Sequence, residues 1–317
     1  MRTFIILIIS KFILSNFAPV IAQDNNIQFP IADIEQRLKY EPFDIFRKRD
    51  SRFKGDITKQ MIIKWQDGVY MRVKWKRGPS KGQAVNNQPR YEIAAYQLQK
   101  LFLQPEYYVV PPTVARFFSI EKYREIEPNV KPTFKKIPCV LFVLQYWLEN
   151  VTNKNIYDKK LFKTNEYYAM HLGNMNILSY LIKHSDSNVG NFLISTDPAN
   201  LRVFAVDNGM AFNNIKSDRG YEWQDMRVKK LPAATVEKLR KITLQDLQKT
   251  LGVVAQFTFK GDNLVEVQHT ENLDPKKGVR ISNNVVQFGL TEFEIKGVHR
   301  RLQDLLKRVH KGKIKTF

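Results

Sequence analysis

Asp186, Asn191 and Asp207 carry side-chain oxygens at a spacing that suits one kind of chemistry. The first two lie in Lys183-His184-Ser185-Asp186-Ser187-Asn188-Val189-Gly190-Asn191, and the third opens Asp207-Asn208-Gly209. An apolar run of helical character enters the first stretch, and a short strand, Phe192 to Ile194, leaves it. A second strand, Arg202 to Val206, ends on Asp207. Asp186 and Asn191 therefore sit on a loop before a hairpin, and Asp207 sits where the hairpin returns. Phosphoryl transfer needs these groups: a carboxylate to orient the acceptor hydroxyl, plus an amide and a carboxylate to hold the metal on the phosphates.

The spacing is what makes the pattern specific. Asp at i, Asn at i+5, a hairpin and then Asp-x-Gly form the catalytic-loop and metal-loop pattern of kinase-fold enzymes. The competing reading takes Asp186 and Asn188 as turn formers and Asp207-Asn208-Gly209 as a hairpin turn. His184, two residues before Asp186, reads as a structural or supporting side chain.

Such a site also needs a lysine on a strand and a glutamate on the following helix. Gln60 to Trp65 and Val69 to Lys76 read as a hairpin around Asp67-Gly68. Tyr91 to Phe102 reads as a helix with Ile93, Ala94, Leu98 and Leu101 on one face. Glu92 is the only carboxylate of that helix. Lys74 and Lys76 share strand parity and face the same way. Lys74, nearer the strand centre, is the expected phosphate lysine. Gln145-Tyr146-Trp147 follows the buried run Cys139 to Leu144 as the linker whose backbone would meet a nucleotide base; its aromatic side chains suit a core equally well. No Gly-x-Gly-x-x-Gly loop precedes the hairpin, and Lys54-Gly55-Asp56 holds the nearest glycine.

Positioning these groups takes a hairpin, a helix, two strands (Val114 to Phe118, Cys139 to Leu144), a long helix (Glu166 to Ile182) and the catalytic hairpin. Helices at Pro232 to Lys241 and Leu244 to Leu251 follow, then a small hairpin around Gly261 and a helix from Glu292 to Val309. The expected class is α+β: a two-lobed, atypical protein-kinase-like fold with a small β-rich lobe before a larger helical one. The expected domains are a signal peptide over 1–22, an N-terminal extension over 23–50, and a kinase-like domain over 51–317. Its lobes meet between 144 and 147.

The chain has 317 residues, with Lys+Arg 51 against Asp+Glu 31, a formal charge of +20. Such a surface favours anionic partners. No basic block or nucleic-acid motif stands out, so nucleic acid is the least favoured partner. The lone Cys139 excludes an intrachain disulfide and reads as a small buried hydrophobe. Arg2 followed by Phe4 to Ile9 and Phe12 to Leu14 reads as a cleavable secretory signal, interrupted by Lys11 and Asn16. It is a poor membrane span, which places the protein in the secretory pathway, outside the cell or in a periplasm. Asn150-Val151-Thr152 is a glycan acceptor if that turn is exposed in a eukaryotic product.

Tyr91 to Leu98, followed by Val109-Val110-Pro111-Pro112-Thr113-Val114-Ala115-Arg116, resembles the helix and Val-Pro-Pro strand of the secretory-pathway kinases, the Golgi casein kinase and glycan-kinase group. His184 to Asn191 and Asp207-Asn208-Gly209 are similar to those enzymes and to type II phosphatidylinositol 4-kinases. The resemblance spans roughly residues 61–212. It implies ATP with Mn or Mg, Asp186 as catalytic aspartate, Asp207 as metal ligand and Glu92 as the helix glutamate. Asn191 is implied as the second metal-side residue in the lipid-kinase form of the pattern. The chain departs from the group in its single cysteine and in Asp186-Ser187-Asn188, where the group carries Asp-Arg-His. The expected function is an exported ATP-dependent kinase acting on a protein or glycan hydroxyl, with a lipid headgroup as a further acceptor. The alternatives are a pseudokinase holding an anionic partner, a phosphoinositide kinase, and an AMP-transferring enzyme.

Overall fold

The computed structural model describes residues 25–51, 57–186, 188–212 and 226–317. The signal-peptide expectation, Lys54-Gly55-Asp56, Ser187 and much of the polar loop after Asn213 fall outside the described residues.

The small lobe is built on a five-stranded sheet in the order β1-β2-β3-β5-β4. Its strands are β1 (Phe43–Asp50), β2 (Thr58–Trp65), β3 (Tyr70–Arg77), β4 (Thr113–Ser119) and β5 (Cys139–Tyr146). Alternation decides which way the sheet faces. Met61, Ile63, Trp65, Met71, Val73 and Trp75 are all buried on one face. Tyr70, Arg72, Lys74 and Lys76 must then stand on the other. Trp75 locks this register: its ring stacks on Phe142 at 3.8 Å, and its Nε1–H donates to the Tyr123 hydroxyl at 3.0 Å. β5 is buried along its whole length, as expected of a strand covered on both faces.

Residues 25–50, expected to be an extension, are built into this lobe. Helix α1 (Ile31–Tyr40) buries Ile34 and Leu38 in the sheet's core, and β1 pairs antiparallel with β2. Helix α2 (Pro89–Gln99) opens with Pro at its first turn and is buried on nearly all sides, which lets it bridge the lobes. α3 (Ile120–Arg124) follows β4.

The large lobe is centred on α5 (Glu166–Ile182), preceded by the single turn α4 (Leu161–Thr164). A three-stranded sheet, β6 (Val151–Thr152), β7 (Phe192–Ser195) and β8 (Val203–Ala205), carries the catalytic hairpin. β9 (Lys230–Leu231) leads into α6 (Ala233–Arg240) and α7 (Leu244–Leu251), the latter capped by Thr243 and Asp246. The expected small hairpin is part of a four-stranded sheet, β11-β10-β13-β12. Its strands are β10 (Ala255–Lys260), β11 (Asn263–Glu266), β12 (Val279–Ser282) and β13 (Val285–Phe288). α8 (Glu292–His310) and β14 (Lys315–Thr316), parallel to β9, close the lobe. Among the described residues no helix is long and apolar enough to cross a membrane.

Candidate active site

α5 ends at Ile182 because Lys183 takes the left-handed conformation (φ 49°), and the Lys183 and His184 N–H groups return to the carbonyls of Tyr180 and Ser179. That turn throws the chain into the Asp186 loop. Inside the loop the bonding is local. The Asn188 amide donates to Asp186 Oδ1 at 3.2 Å, and the Asn191 amide donates to the Asp186 carbonyl. The Val206 N–H donates to the Asn191 carbonyl at 2.9 Å, tying the loop to the returning strand one residue before Asp207.

Asp207 also takes a left-handed conformation (φ 57°). Its carboxylate meets two lysines of β3: Lys76 Nζ lies 2.9 Å and Lys74 Nζ 3.4 Å from Oδ1. Lys76 Nζ is also 3.3 Å from Glu92 Oε1, while Glu92 Oε2 accepts the Asn208 N–H at 2.8 Å. The Gly209 carbonyl accepts the Gln88 N–H at the start of α2. A Cβ on Gly209 would stand 3.2 Å from Glu92 Oε1 and 3.4 Å from Lys76 Nζ, which accounts for a glycine there.

The expected choice of Lys74 over Lys76 therefore meets a different geometry. Both lysines reach Asp207, but it is Lys76 that pairs with Glu92. The residue opposite the first turn of α2 lies near the end of β3, where the chain leaves for that helix.

Electrostatics follow from this packing. Lys74, ahead of Lys76, holds the Asp207 carboxyl far below the usual carboxylate range, against the opposing effect of burial. Burial pushes the Glu92 carboxyl up, and Lys76 and Lys74 pull it back. Burial also works against the Lys76 ammonium, yet Asp207 and Glu92 keep its pKa raised. His184 is buried beneath the loop, and burial lowers its pKa although the Val206 backbone, Asp207, Asp186 and the Asn208 side chain all oppose this. Asp186 and Asp207 thus both bear on one imidazole.

Gln145 lines a narrow cavity with Lys74, Lys76, Glu92 and Val143, and its amide donates to Thr113 Oγ1 at 2.9 Å. The Tyr146 ring is buried in the core, and its N–H donates to the Pro112 carbonyl. The Trp147 N–H donates to the Arg72 carbonyl at 3.1 Å. The Tyr146 and Trp147 N–H groups are therefore occupied, and among the described residues the Leu148 N–H donates to no backbone carbonyl.

A hard divalent cation takes oxygen donors. Asn191 spends its amide nitrogen on the Asp186 carbonyl, leaving its amide oxygen as the remaining donor, and Asp207 supplies a carboxylate. Among the described residues no three His, Cys, Asp or Glu side chains form a metal cluster. The donor set fits an open site whose remaining ligands are phosphate and water, the usual arrangement for Mg or Mn on a nucleotide.

The sequence matches no protein-family model and no curated protein. Solved structures do match the fold. Hydra Fam20, solved with sugar, superposes with a TM-score of 0.52 at 15% identity, over 90% of this chain and 92% of that one. The Golgi casein kinase, solved with Mn and ADP bound, gives a TM-score of 0.50 at 14% identity, over 89% of this chain and 76% of that one. The chain has the two-lobed, atypical kinase fold of the Fam20-type secretory kinases, as its resemblance to them implied.

Proposed function

We propose that the chain is an exported, ATP-dependent phosphotransferase acting on a hydroxyl of a protein or glycan. One observation carries this reading: Lys76 of the small lobe is shared between Glu92 and Asp207, at 3.3 and 2.9 Å. A lysine held by a helix glutamate, next to the metal-loop aspartate, is the arrangement that kinase catalysis requires to be in place.

The roles follow. Lys76 and Lys74 neutralise phosphate oxygens, and Glu92 keeps Lys76 pointed at them. Asp186 orients the acceptor hydroxyl and receives its proton. Asn188 holds Oδ1 of that carboxylate and leaves Oδ2 for the hydroxyl. The Leu148 N–H faces the base as a donor. Asn191 and Asp207 would hold Mn or Mg, which when bound offsets the charge on the phosphates. Export rests on the Arg2-led apolar N-terminus. A neighbour solved with sugar and a casein kinase solved with Mn and ADP support a glycan or protein acceptor and Mn as the metal.

The test is incubation of the purified chain with ATP labelled at the α or γ position, with Mn or Mg, casein and oligosaccharides, and mass spectrometry of the product. Transfer of γ-label alone is expected. Transfer of α-label indicates AMP transfer, and ATP binding without any transfer indicates a pseudokinase. Unchanged Mn-dependent nucleotide binding in Asp207→Ala would overturn the site.

A further inference from the structure

The C-terminal end of α8 and the tail beyond it enclose an open cavity of ≈ 530 Å³, lined by Asp304, Lys307, Arg308, Lys311, Lys313 and Ile314. It shares no residue with the cleft between the lobes. Among the described residues its one carboxylate is already engaged: Asp304 accepts from the Tyr180 hydroxyl at 2.6 Å and from Arg308 Nε at 2.8 Å. Lys307, Lys311 and Lys313 form no ion pair among the described residues. The wall is fixed by backbone bonding. Gly312 turns the chain (φ 67°), the Lys313 and Ile314 N–H groups donate to the Arg308 carbonyl, and Lys315–Thr316 pairs with Lys230–Leu231. Complementing the α8 dipole accounts for cations within its last turn. Lys311 and Lys313 lie beyond that turn and still line the same concavity.

We infer that this cavity binds a ring-sized polyanion, a sugar or cyclitol carrying two or more phosphate or sulfate groups. Like charges converging on one concave surface repel one another until a counter-charge arrives. The volume is that of a small-molecule site. Among the described residues no aromatic side chain lines it, and Ile314 is its only apolar wall. The described wall therefore offers single-stranded nucleic acid no stacking platform.

The experiment is calorimetric titration of the full chain, at about 0.15 M ionic strength, with inositol hexakisphosphate and with a heparin-derived hexasaccharide. Binding of at least one probe is expected, and the pair separates phosphate from sulfate preference. K307Q/K311Q should weaken it by about tenfold or more, since two charge-assisted contacts are lost. Both lysines are exposed, and an unaltered circular dichroism spectrum would show that the variant folds. K307R/K311R should retain binding. A control, K135Q/K136Q, alters two exposed lysines elsewhere and should change binding less than twofold if charge alone is not responsible. No binding of either probe would overturn the inference. So would equal weakening in the control, or tighter binding of a single-stranded oligonucleotide than of either probe.

Discussion

Lys76 Nζ lies 2.9 Å from Asp207 Oδ1, joining the end of β3 to a loop 131 residues further along the chain. The contact ties the small lobe to the loop after β8. Lys76→Met should therefore lower kcat/KM by roughly a hundredfold or more, the scale set by loss of one preorganised charge-stabilising group. Lys74→Met removes a cation that forms an ion pair with Asp207 but none with Glu92, so it should raise the KM for ATP more than it lowers kcat. Steady-state rates on the acceptor found by mass spectrometry separate the two. Equal losses in both variants would contradict this division of labour.

Gly209 is close-packed under the same ion pair. Gly209→Ala brings a methyl to 3.2 Å from Glu92 and 3.4 Å from Lys76, both ends of side chains that can shift. Stability should fall by no more than about 1–2 kcal/mol. Nucleotide binding should fall further than that, because the pair moves off its geometry. Thermal unfolding with and without Mn-ATP checks this: the variant should lose most of the ligand-induced shift.

What the sequence disclosed was what is local in the chain. Asp186 and Asn191 are five residues apart, their side-chain bonding stays within the loop, and so their pairing is written in their spacing. The choice between Lys74 and Lys76 depends on where α2 docks, which no neighbouring residue records. β12 and β13 escaped for another reason. Their buried positions include Arg280 and Gln287, polar side chains satisfied by the Gly252 and Leu290 carbonyls and by Gln256, so the apolar alternation is broken. Asn283, with φ 50° at the turn, was the signal that remained.

Two carboxylates where α1 meets the rest of the fold should give stability opposite pH slopes. Burial would raise Glu35, but Lys100 at 2.6 Å and Lys39 at 3.0 Å hold it down to about 2 from an ordinary 4.5. A depressed folded-state pKa stabilises above 4.5 and loses that contribution as pH falls toward 2. Burial pushes Glu266 up to about 7, despite Lys39 and Arg116. A raised pKa stabilises below 4.5 and loses its contribution as pH rises through about 7. Urea titrations between pH 3 and 8 should show both limbs, each roughly 1–3 kcal/mol. Glu266→Gln should flatten the alkaline limb alone, and Glu35→Gln the acidic one.

Glu294 fixes the helix that carries Glu92. Its carboxylate takes a fork from Arg90, with Nη1 at 2.6 Å and Nη2 at 2.9 Å, accepts the Tyr91 hydroxyl, and closes the capping box of α8 through the Thr291 N–H. Arg90 is nearly buried and lies over the Tyr91 ring. Glu294→Ala therefore leaves a buried guanidinium without its counter-charge and uncaps α8, which should cost about 3–5 kcal/mol. Glu294→Gln keeps an acceptor for the cap and should cost less. Because Arg90 and Glu92 lie on the same turn of α2, the Ala variant should also weaken nucleotide binding under conditions where it remains folded. Urea denaturation gives the first quantity and titration with Mn-ATP the second. Full stability in Glu294→Ala would mean that α2 is held by its apolar packing alone, and that the Arg90 fork contributes nothing to the placement of Glu92.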